Sequence, residues 1–228
     1  MNIGRYQVLF PFEPYPQQVE FMEGLLQTLE GAENALLESP TGTGKTLSLL
    51  AGTLGWMKTK HDEGKEKKSR IFYASRTHAQ ISQLISELKS TAYVPSISIL
   101  ASRDHLCLNK EARELKGGQM ISKCHQLIKN NGCDYYASLQ RKKKTLVDYY
   151  SNTMMDVEEL FGEGMKQHFC PYYFSKLMVQ EAHIVFLPYT FLTSEDYLWM
   201  IEGYLNNSII VFDEAHNVGD SAEEVYRL

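Results

Sequence analysis

Residues 39–46, SPTGTGKT, constrain this chain more than any other stretch, because they join an apolar run to an amphipathic helical pattern. Two glycines permit a tight turn whose N–H groups face inward at a helix N-terminus and bind an anion. We expect Lys45 to reach the β- and γ-phosphates of ATP and the Thr46 hydroxyl to bind Mg²⁺. The predicted nucleotide-binding residues are Ser39, Pro40, Thr41, Gly42, Thr43, Gly44, Lys45 and Thr46.

The match is to a variant of the phosphate-loop pattern, since Ser39 stands where the strict pattern has glycine. The alternative is a glycine-rich turn between a strand and a helix that binds no ligand. The flanking segments favour the phosphate loop, because a strand-like stretch precedes it and a helical stretch follows it.

A second motif lies near the other end, where the strand-like run SIIVF leads into Asp213-Glu214-Ala215-His216. An aspartate at the carboxyl end of such a strand holds Mg²⁺ in nucleotide hydrolases, and an adjacent glutamate can accept a proton from water. Acidic strand ends are also common as solvated groups. Because the carboxyl ends of parallel strands meet at one sheet edge, the two motifs together predict an ATPase, with Lys45, Asp213, Glu214 and His216 as catalytic residues.

The pattern of apolar residues predicts an α/β fold with a mainly parallel sheet covered on both sides. Helices are predicted where apolar residues recur three or four positions apart, in two segments, and strands from short apolar runs. The predicted helices are GKTLSLLAGTLGWMKTK and HAQISQLISELKS, and the predicted strands are NALLES, RIFYAS, SISIL, HIVFLPY and SIIVFDE.

This alternation stops between residues 102 and 181, which we interpret as an insertion in the α/β domain. The insertion holds all four cysteines, a basic run and several tyrosines. The length of 228 residues fits one large domain with such an insertion. No signal peptide and no membrane-length apolar run is found in the sequence, so we expect an intracellular protein with reduced thiols rather than disulfides.

The cysteines are Cys107, Cys124, Cys133 and Cys170, with 16, 8 and 36 residues between them. No CxxC pair is present, so the spacing alone leaves buried structural thiols and metal ligands both open. In a zinc site the neighbouring histidines could replace a cysteine, although such neighbours are more often outside the ligand set. These histidines are His105, His125 and His168.

The net charge is −5, so nucleic-acid binding would depend on local basic patches. The insertion offers the run Arg141–Lys144, with Tyr135, Tyr136, Tyr149 and Tyr150 nearby as stacking surfaces. A solvated charge run beside core tyrosines is the alternative. A further run, Lys65–Lys68, is interpreted as a surface loop and only weakly suggests a nuclear signal.

With SPTGTGKT and DEAH in place, the sequence resembles the superfamily 2 DEAH-type DNA helicases of the XPD family. The segment FPFEPYPQQVEFM is similar to the start of that family, SRTHAQISQLISEL to its motif Ia, and CPYYFS and FLPYTFL to later segments. Within the family, ELKSTAY, ILASRDHLC and DVEEL are most similar to two branches, the Fanconi anaemia group J helicases and the regulators of telomere elongation. These residues do not separate the two branches.

The resemblance implies a RecA-like motor domain that carries a mostly helical, four-cysteine iron–sulfur insertion. It implies that Gln18 contacts adenine, that Arg76 and His78 border the DNA path, and that the four cysteines bind a [4Fe–4S] cluster, for which four thiolates are the expected ligand set. It also implies 5′–3′ movement on single-stranded and forked DNA, with ATP and Mg²⁺. Repair or telomere maintenance is the implied setting, with nuclear location for a eukaryotic protein and cytoplasmic location otherwise.

We therefore divide the chain into residues 1–101, the first part of motor domain 1, residues 102–181, the insertion, and residues 182–228, the rest of motor domain 1 with the DEAH box. Only twelve residues follow His216, so we expect the second motor domain, which supplies arginines to the transition state, to be absent. We expect no membrane association, and leave repair or replication partners unidentified. One alternative is a non-catalytic module that binds nucleic acid or protein. A second is a small ATPase unrelated to DNA, against which the four cysteines and motif Ia argue.

Overall fold

The computed structural model describes residues 1–40, 42–64 and 69–226, and it contains two compact units. The first unit comprises Met1–Ser69 and Gln83–Val94, and the second comprises Arg70–Ser82 and Pro95–Leu228. Two of the sequence predictions, on Thr41 and on the run Lys65–Lys68, fall outside the described residues.

The first unit contains two complete helices, a small antiparallel hairpin and the end of a third helix. Its complete elements are β1 (Asn2–Ile3), β2 (Tyr6–Gln7), α1 (Pro16–Gly31) and α2 (Lys45–Asp62). The third helix belongs to this unit from Gln83 onward. The two helices approach closely at Gly52, where an added Cβ would lie 2.9 Å from Leu25 Cδ2. Helix α2 confirms the predicted helix, and it begins at Lys45, directly after the glycine turn.

The predicted strand NALLES, residues 34–39, is wrong. Residues 33–40 have no regular secondary structure, and Leu36 is 81% exposed. A strand forms only where its N–H and C=O groups find partners, and none of the described strands pairs with this segment. Its apolar residues Ala35, Leu36 and Leu37 lack the β-branched side chains that favour a strand without such help.

The second unit contains a four-stranded parallel sheet, as the alternating pattern predicts. Its strands are β3 (Arg70–Ser75), β4 (Ile97–Ile99), β5 (Ile184–Pro188) and β6 (Ser208–Phe212), in the order β4-β5-β3-β6. Phe72 of β3 lies opposite Val185 of β5 and Ile210 of β6. Every residue of β3 is buried, which places this strand in the core. The predicted helix after β3 is also present, as α3 (His78–Lys89).

Helices occupy the described chain between β4 and β5, so the predicted helical character of the insertion is correct. They are α4 (Arg103–Leu106), α5 (Lys110–Arg113), α6 (Gly117–Lys129), α7 (Asp134–Tyr150), α8 (Val157–Gln167) and α9 (Pro171–Met178). The remaining helices are α10 (Thr190–Thr193), α11 (Glu195–Leu198) and α12 (Val218–Tyr226), with 3₁₀ turns at Glu202–Tyr204 and Ala215–Asn217. Within the described ranges, no helix is both long and apolar enough to cross a bilayer.

Helices α8 and α9 meet at Gly164, and this contact gives a prediction on stability. A Cβ on Gly164 would lie 2.3 Å from Pro171 Cγ and 3.1 Å from the Phe169 carbonyl oxygen. We expect Gly164→Ala to destabilise the second unit by about 1–3 kcal/mol, because neither the ring nor the backbone can yield cheaply. The matched control is Gly162→Ala in the same helix, where a Cβ meets open space. It should be neutral or stabilise by about 0.5–1 kcal/mol. Equal urea midpoints for the two variants would contradict this account.

Candidate nucleotide site and cysteine cavity

The phosphate loop is held in shape by two left-handed glycines and by hydroxyl groups. Gly42 has φ 77° and Gly44 has φ 71°, values that glycine adopts without strain. Ser39 Oγ lies 2.6 Å from Thr43 Oγ1, and the Thr43 hydroxyl donates to the Pro40 carbonyl at 2.8 Å. The loop therefore has a defined turn immediately before Lys45 and Thr46, the first two residues of α2.

The side chain of Gln18 contacts this loop from α1. Its Oε1 accepts a hydrogen bond from the Tyr15 backbone N at 2.9 Å, and its Nε2 donates to the Thr43 carbonyl at 3.0 Å. The side chain is almost fully buried. The predicted contact of Gln18 with adenine stays a prediction. In the structure, the side-chain amide forms hydrogen bonds with two backbone groups, the Tyr15 N–H and the Thr43 carbonyl.

The DEAH turn follows β6 in the second unit. The Asp213 backbone N donates to the Ala74 carbonyl at 3.0 Å, which extends the pairing of β3 and β6 to the motif. Glu214 has the left-handed φ of 51°, which is uncommon for a residue with a side chain. Its carboxylate lies 3.5 Å from His216 Nδ1, and its carbonyl accepts from Asn217 Nδ2 at 3.1 Å. The turn thus groups Asp213, Glu214 and His216 at the carboxyl end of one strand.

Tyr189 supports this turn, and the sequence analysis did not assign it a role. The ring is buried, and its hydroxyl donates to the carbonyl oxygens of Asp213 and, at 3.2 Å, of Glu214. Burial, followed by the charges of Asp213 and Glu214, raises the pKa of Tyr189 to about 12, so the hydroxyl stays protonated and able to donate. Tyr189 directly follows β5 and lies in FLPYTFL, one of the segments similar to the family, but that similarity assigned it no role.

We expect Tyr189→Phe to lower the stability of the second unit and to weaken the Mg²⁺ dependence of nucleotide binding. Removing this hydroxyl should lower the free energy of unfolding by about 1–3 kcal/mol, because the carbonyl groups of Asp213 and Glu214 lose a buried hydrogen-bond donor. Thermal unfolding and Mg²⁺ titrations in the presence of ATP measure the two effects. Tyr149→Phe is the matched control, since Tyr149 is 71% exposed. A Tyr189→Phe protein that behaves like the control would show that the hydroxyl does not position the turn.

The four cysteines line one cavity in the second unit. All four are buried, and none of them forms a disulfide. Cys107 immediately follows α4, Cys124 lies within α6, and Cys133 and Cys170 immediately precede α7 and α9. The last two therefore sit at helix N-termini, where the helix dipole favours a thiolate. The Cys170 backbone N donates to the Tyr135 carbonyl at 3.0 Å, which joins α9 to the start of α7.

Burial dominates the electrostatics of these thiols. It raises the pKa of Cys170 to about 12 and also raises the pKa values of Cys107 and Cys133. The pKa of each of the three is raised further by the neighbouring cysteines, so these three thiols cannot be ionised together without a compensating positive charge. A bound metal group supplies such a charge and displaces the protons.

No three His, Cys, Asp or Glu side chains among the described residues are arranged to hold a metal ion. None of the three histidines considered for a zinc site lines the cysteine cavity. The His105 ring packs edge-on against the His78 ring, with 4.4 Å between the ring centroids. His125 Nε2 lies 3.1 Å from Arg103 Nη2. The His168 ring packs on the Tyr135 ring, with 4.5 Å between the centroids. A cubane attaches each thiolate to a different iron, so its ligands need not converge on one point. The four thiols that line one cavity are the donor set that a four-iron cluster would use, and the cluster stays a prediction.

A cationic and aromatic cluster adjoins Cys124, and the sequence analysis did not anticipate it. The Arg103 guanidinium lies 4.2 Å from the Tyr172 ring centroid and donates to the Tyr173 hydroxyl at 3.3 Å. The Lys176 ammonium lies 4.7 Å from the Tyr172 centroid and 5.0 Å from that of Trp199. Burial, with a smaller contribution from Arg103, lowers the pKa of Lys176 to about 8. The cluster places positive charge beside the cysteine cavity.

The two DNA-side candidates differ in character. Arg76 is exposed, and its Nη1 donates to Asn217 Oδ1 at 3.2 Å, which ties it to the segment after the DEAH turn. Burial, then the neighbouring His105, lowers the pKa of His78 to about 4, so this side chain is neutral at pH 7. A phosphate contact is therefore better suited to Arg76 than to His78. Both assignments stay predictions.

The four tyrosines near the basic run divide into packed and exposed residues. Tyr150 is buried, and its hydroxyl donates to Glu163 Oε2 at 2.6 Å. Tyr135 and Tyr136 pack beside the cysteines, whereas Tyr149 is exposed. The run Arg141–Lys144 is exposed throughout. Of the four rings, Tyr149 is therefore the one available for stacking, and the core interpretation fits the other three.

Comparison with known proteins shows that this chain is similar in sequence to several helicases. Residues 73–228 match the family model described as DEAD_2. The chain is 36% identical to the mouse regulator of telomere elongation helicase 1 over 251 aligned positions, which cover 94% of this chain and 21% of that protein. It is 35% identical to an Arabidopsis thaliana homologue of that helicase, covering 95% of this chain and 24% of that protein. The chain thus spans about a fifth to a quarter of the length of these relatives.

Two solved structures share the fold. One is an XPD helicase, with a TM-score of 0.66 and 22% identity over 93% of this chain and 34% of that one. The other is a truncated XPD, with a TM-score of 0.60 and 23% identity over 90% of this chain and 54% of that one. These matches confirm the predicted RecA-like α/β fold, while the iron–sulfur character of the insertion stays a prediction. On the family match, the chain belongs to the DEAD_2 family, and its sequence is similar to the regulators of telomere elongation helicase.

Proposed function

We propose that this chain is the ATP-binding and iron–sulfur part of an ATP-dependent DNA helicase. The observation that carries the proposal is the phosphate loop, in which Gly42 and Gly44 turn the backbone so that α2 begins at Lys45. Bound Mg-ATP would supply the free energy for strand separation through hydrolysis of its terminal phosphate. Lys45 would hold the β- and γ-phosphates, and Thr46 and Asp213 would bind Mg²⁺.

The roles in hydrolysis follow from the DEAH turn. Glu214 would accept the proton of the attacking water, with His216 beside its carboxylate at 3.5 Å. Ser39, Pro40, Thr41 and Thr43 would complete the phosphate loop. Asp213→Asn should weaken Mg²⁺ binding, whereas Glu214→Gln should spare nucleotide binding and stop hydrolysis, because only the base is lost.

The cysteine cavity supports a [4Fe–4S] cluster as the second cofactor. Cys107, Cys124, Cys133 and Cys170 come from four different helical segments, so four thiolates on one cluster would join these segments. DNA, single-stranded and forked, is the proposed partner, with Arg76 as the contact that the geometry favours. The family further supports 5′–3′ movement, nuclear location, and a role in DNA repair or telomere maintenance.

A test on the 228-residue chain separates binding from unwinding. We expect it to bind single-stranded DNA detectably in fluorescence anisotropy, with affinity falling steeply between about 50 and 200 mM salt, because phosphate contacts release counterions. We expect almost no ATP turnover and no unwinding of a 5′-tailed duplex. Turnover and unwinding in the family need arginines that act on the transition state and a second DNA-gripping domain, and these 228 residues span about a fifth to a quarter of the length of the related helicases.

Three results would contradict parts of the proposal. Unwinding by the purified chain that depends on ATP and on Lys45 would show that the motor is complete within these residues. Binding of DNA that does not change with salt would remove the case for a phosphate-contacting surface. A chain that binds DNA but no nucleotide would favour the non-catalytic binding module instead.

A further inference from the structure

The side chain of Asn217 packs back on the DEAH turn, which it directly follows. Its Oδ1 accepts a hydrogen bond from Arg76 Nη1 at 3.2 Å, and its Nδ2 donates to the Glu214 carbonyl at 3.1 Å. A guanidinium can only donate and a carbonyl can only accept, so these two partners decide which end of the amide is oxygen and which is nitrogen. The orientation of the Asn217 amide is therefore determined.

The amide nitrogen of Asn217 also faces the ring of His216. The distance from Asn217 Nδ2 to His216 Nε2 is 2.9 Å. An amide nitrogen carries two hydrogens and accepts none, so one hydrogen remains for His216 after the bond to the Glu214 carbonyl. His216 Nε2 is therefore the acceptor in this contact. In a neutral imidazole one nitrogen accepts and the other carries the hydrogen, which places the hydrogen of His216 on Nδ1.

Nδ1 is the ring nitrogen that lies near the proposed base, 3.5 Å from Glu214 Oε2. A nitrogen that carries hydrogen attracts the negative charge of the carboxylate. A bare nitrogen at that place would repel the carboxylate lone pairs and could itself take a proton from water. The lone pair on Nε2 is engaged by Asn217. Neither nitrogen of the neutral ring then offers a lone pair that competes with Glu214.

We propose that Asn217 is a positioning residue that fixes the tautomer of His216, so that Glu214 alone accepts the proton of the attacking water. This inference rests on the proposed hydrolytic role of the DEAH turn and deepens it. It gives His216 the task of attracting the Glu214 carboxylate through Nδ1–H rather than that of a second base. The four letters of the motif do not make this distinction, because the tautomer depends on a residue that follows them.

Asn217→Leu tests the contact, because leucine has the branched outline of asparagine but neither its donor nor its acceptor. We expect the ratio of the Nδ1–H form to the Nε2–H form of His216 to fall by about 2- to 10-fold, as for the loss of one hydrogen bond. Asn206→Leu is the matched control, with the same change at an exposed residue shortly before β6, and it should leave the ratio unchanged.

Nitrogen NMR of the 228-residue chain, labelled with ¹⁵N-histidine, measures this ratio. A ring nitrogen that carries hydrogen and one that does not differ widely in chemical shift. The spectra are recorded without nucleotide at about pH 8.5, where an ordinary histidine is neutral. A His216→Gln spectrum assigns the His216 signals by their absence. We expect His216 of the wild-type chain to be mainly in the Nδ1–H form.

A wild-type His216 that is mainly in the Nε2–H form, or an Asn217→Leu protein with the wild-type ratio, would overturn the inference. Asn217→Ala should give the same fall, and it replaces Asn217→Leu if circular dichroism shows that the leucine variant is unfolded. Because the tautomer is read without ATP, the proposed nucleotide site is tested separately. A chain that binds no Mg-ATP would overturn that site and the role of Glu214, whichever tautomer the spectrum shows.

Discussion

Lys45→Ala is expected to lower the affinity of the chain for Mg-ATP by roughly 10- to 100-fold. The side chain follows the loop that is proposed to bind the phosphates through its N–H groups, and its ammonium would provide the charge at the β- and γ-phosphates. Losing a hydrogen bond to a charged group costs about 1.5–3 kcal/mol, which gives that range of affinity. Isothermal titration with Mg-ATP measures the change.

Lys58→Ala is a suitable control for Lys45→Ala, because it removes the same charge from the same helix three turns further on. It should leave Mg-ATP affinity within about twofold of wild type, since surface charges at that distance are screened. An affinity of Lys45→Ala that matches the Lys58→Ala value would contradict the assignment of Lys45 to the phosphates.

Cys124→Ser is expected to remove the iron from anaerobically purified protein, from about four atoms per chain to less than one, and with it the brown colour. Four thiolates are the complete ligand set of a cubane, so three leave one iron without its ligand. Loss of the cluster should also loosen the helices around the cavity, because metal binding and local folding are coupled. Iron analysis, visible absorption and limited proteolysis report the three effects.

His125→Ala controls for a change beside the cysteine. His125 follows Cys124 and is exposed, and it does not line the cavity. The variant should keep its iron. Stoichiometric zinc without visible absorption in the wild-type protein would contradict the cluster, and a Cys124→Ser protein that keeps four iron atoms would contradict the ligand assignment.

The sheet and the helices could be predicted from local patterns, because apolar spacing depends on residues close in sequence. RIFYAS, SISIL, HIVFLPY and SIIVFDE all contain the strands observed, since β-branched and aromatic runs favour a buried strand without further information. NALLES failed for the opposite reason. Its three apolar residues carry little preference of their own, and the pairing that a strand needs is set by distant residues.

The site could be predicted as a set of motifs, but its internal contacts could not. Nothing in the sequence shows that the Gln18 amide binds a carbonyl 25 residues away, or that the Tyr189 hydroxyl supports the DEAH turn. The cysteines gave a similar result. Their spacing left metal ligands and structural thiols open, and only the packing of helices α4, α6, α7 and α9 brings them to one cavity.

Native mass spectrometry of the anaerobically purified 26.2 kDa chain in excess Mg-ATP tests the central claim most directly. One spectrum shows whether the phosphate loop and the cysteine cavity are loaded on the same polypeptide. We predict a species that carries one four-iron, four-sulfide cluster and one Mg-ATP, with the nucleotide missing from Lys45→Ala and the cluster missing from Cys124→Ser. A polypeptide with zinc or no metal, and with no nucleotide in excess Mg-ATP, would contradict the assignment of this chain to the motor of an iron–sulfur helicase.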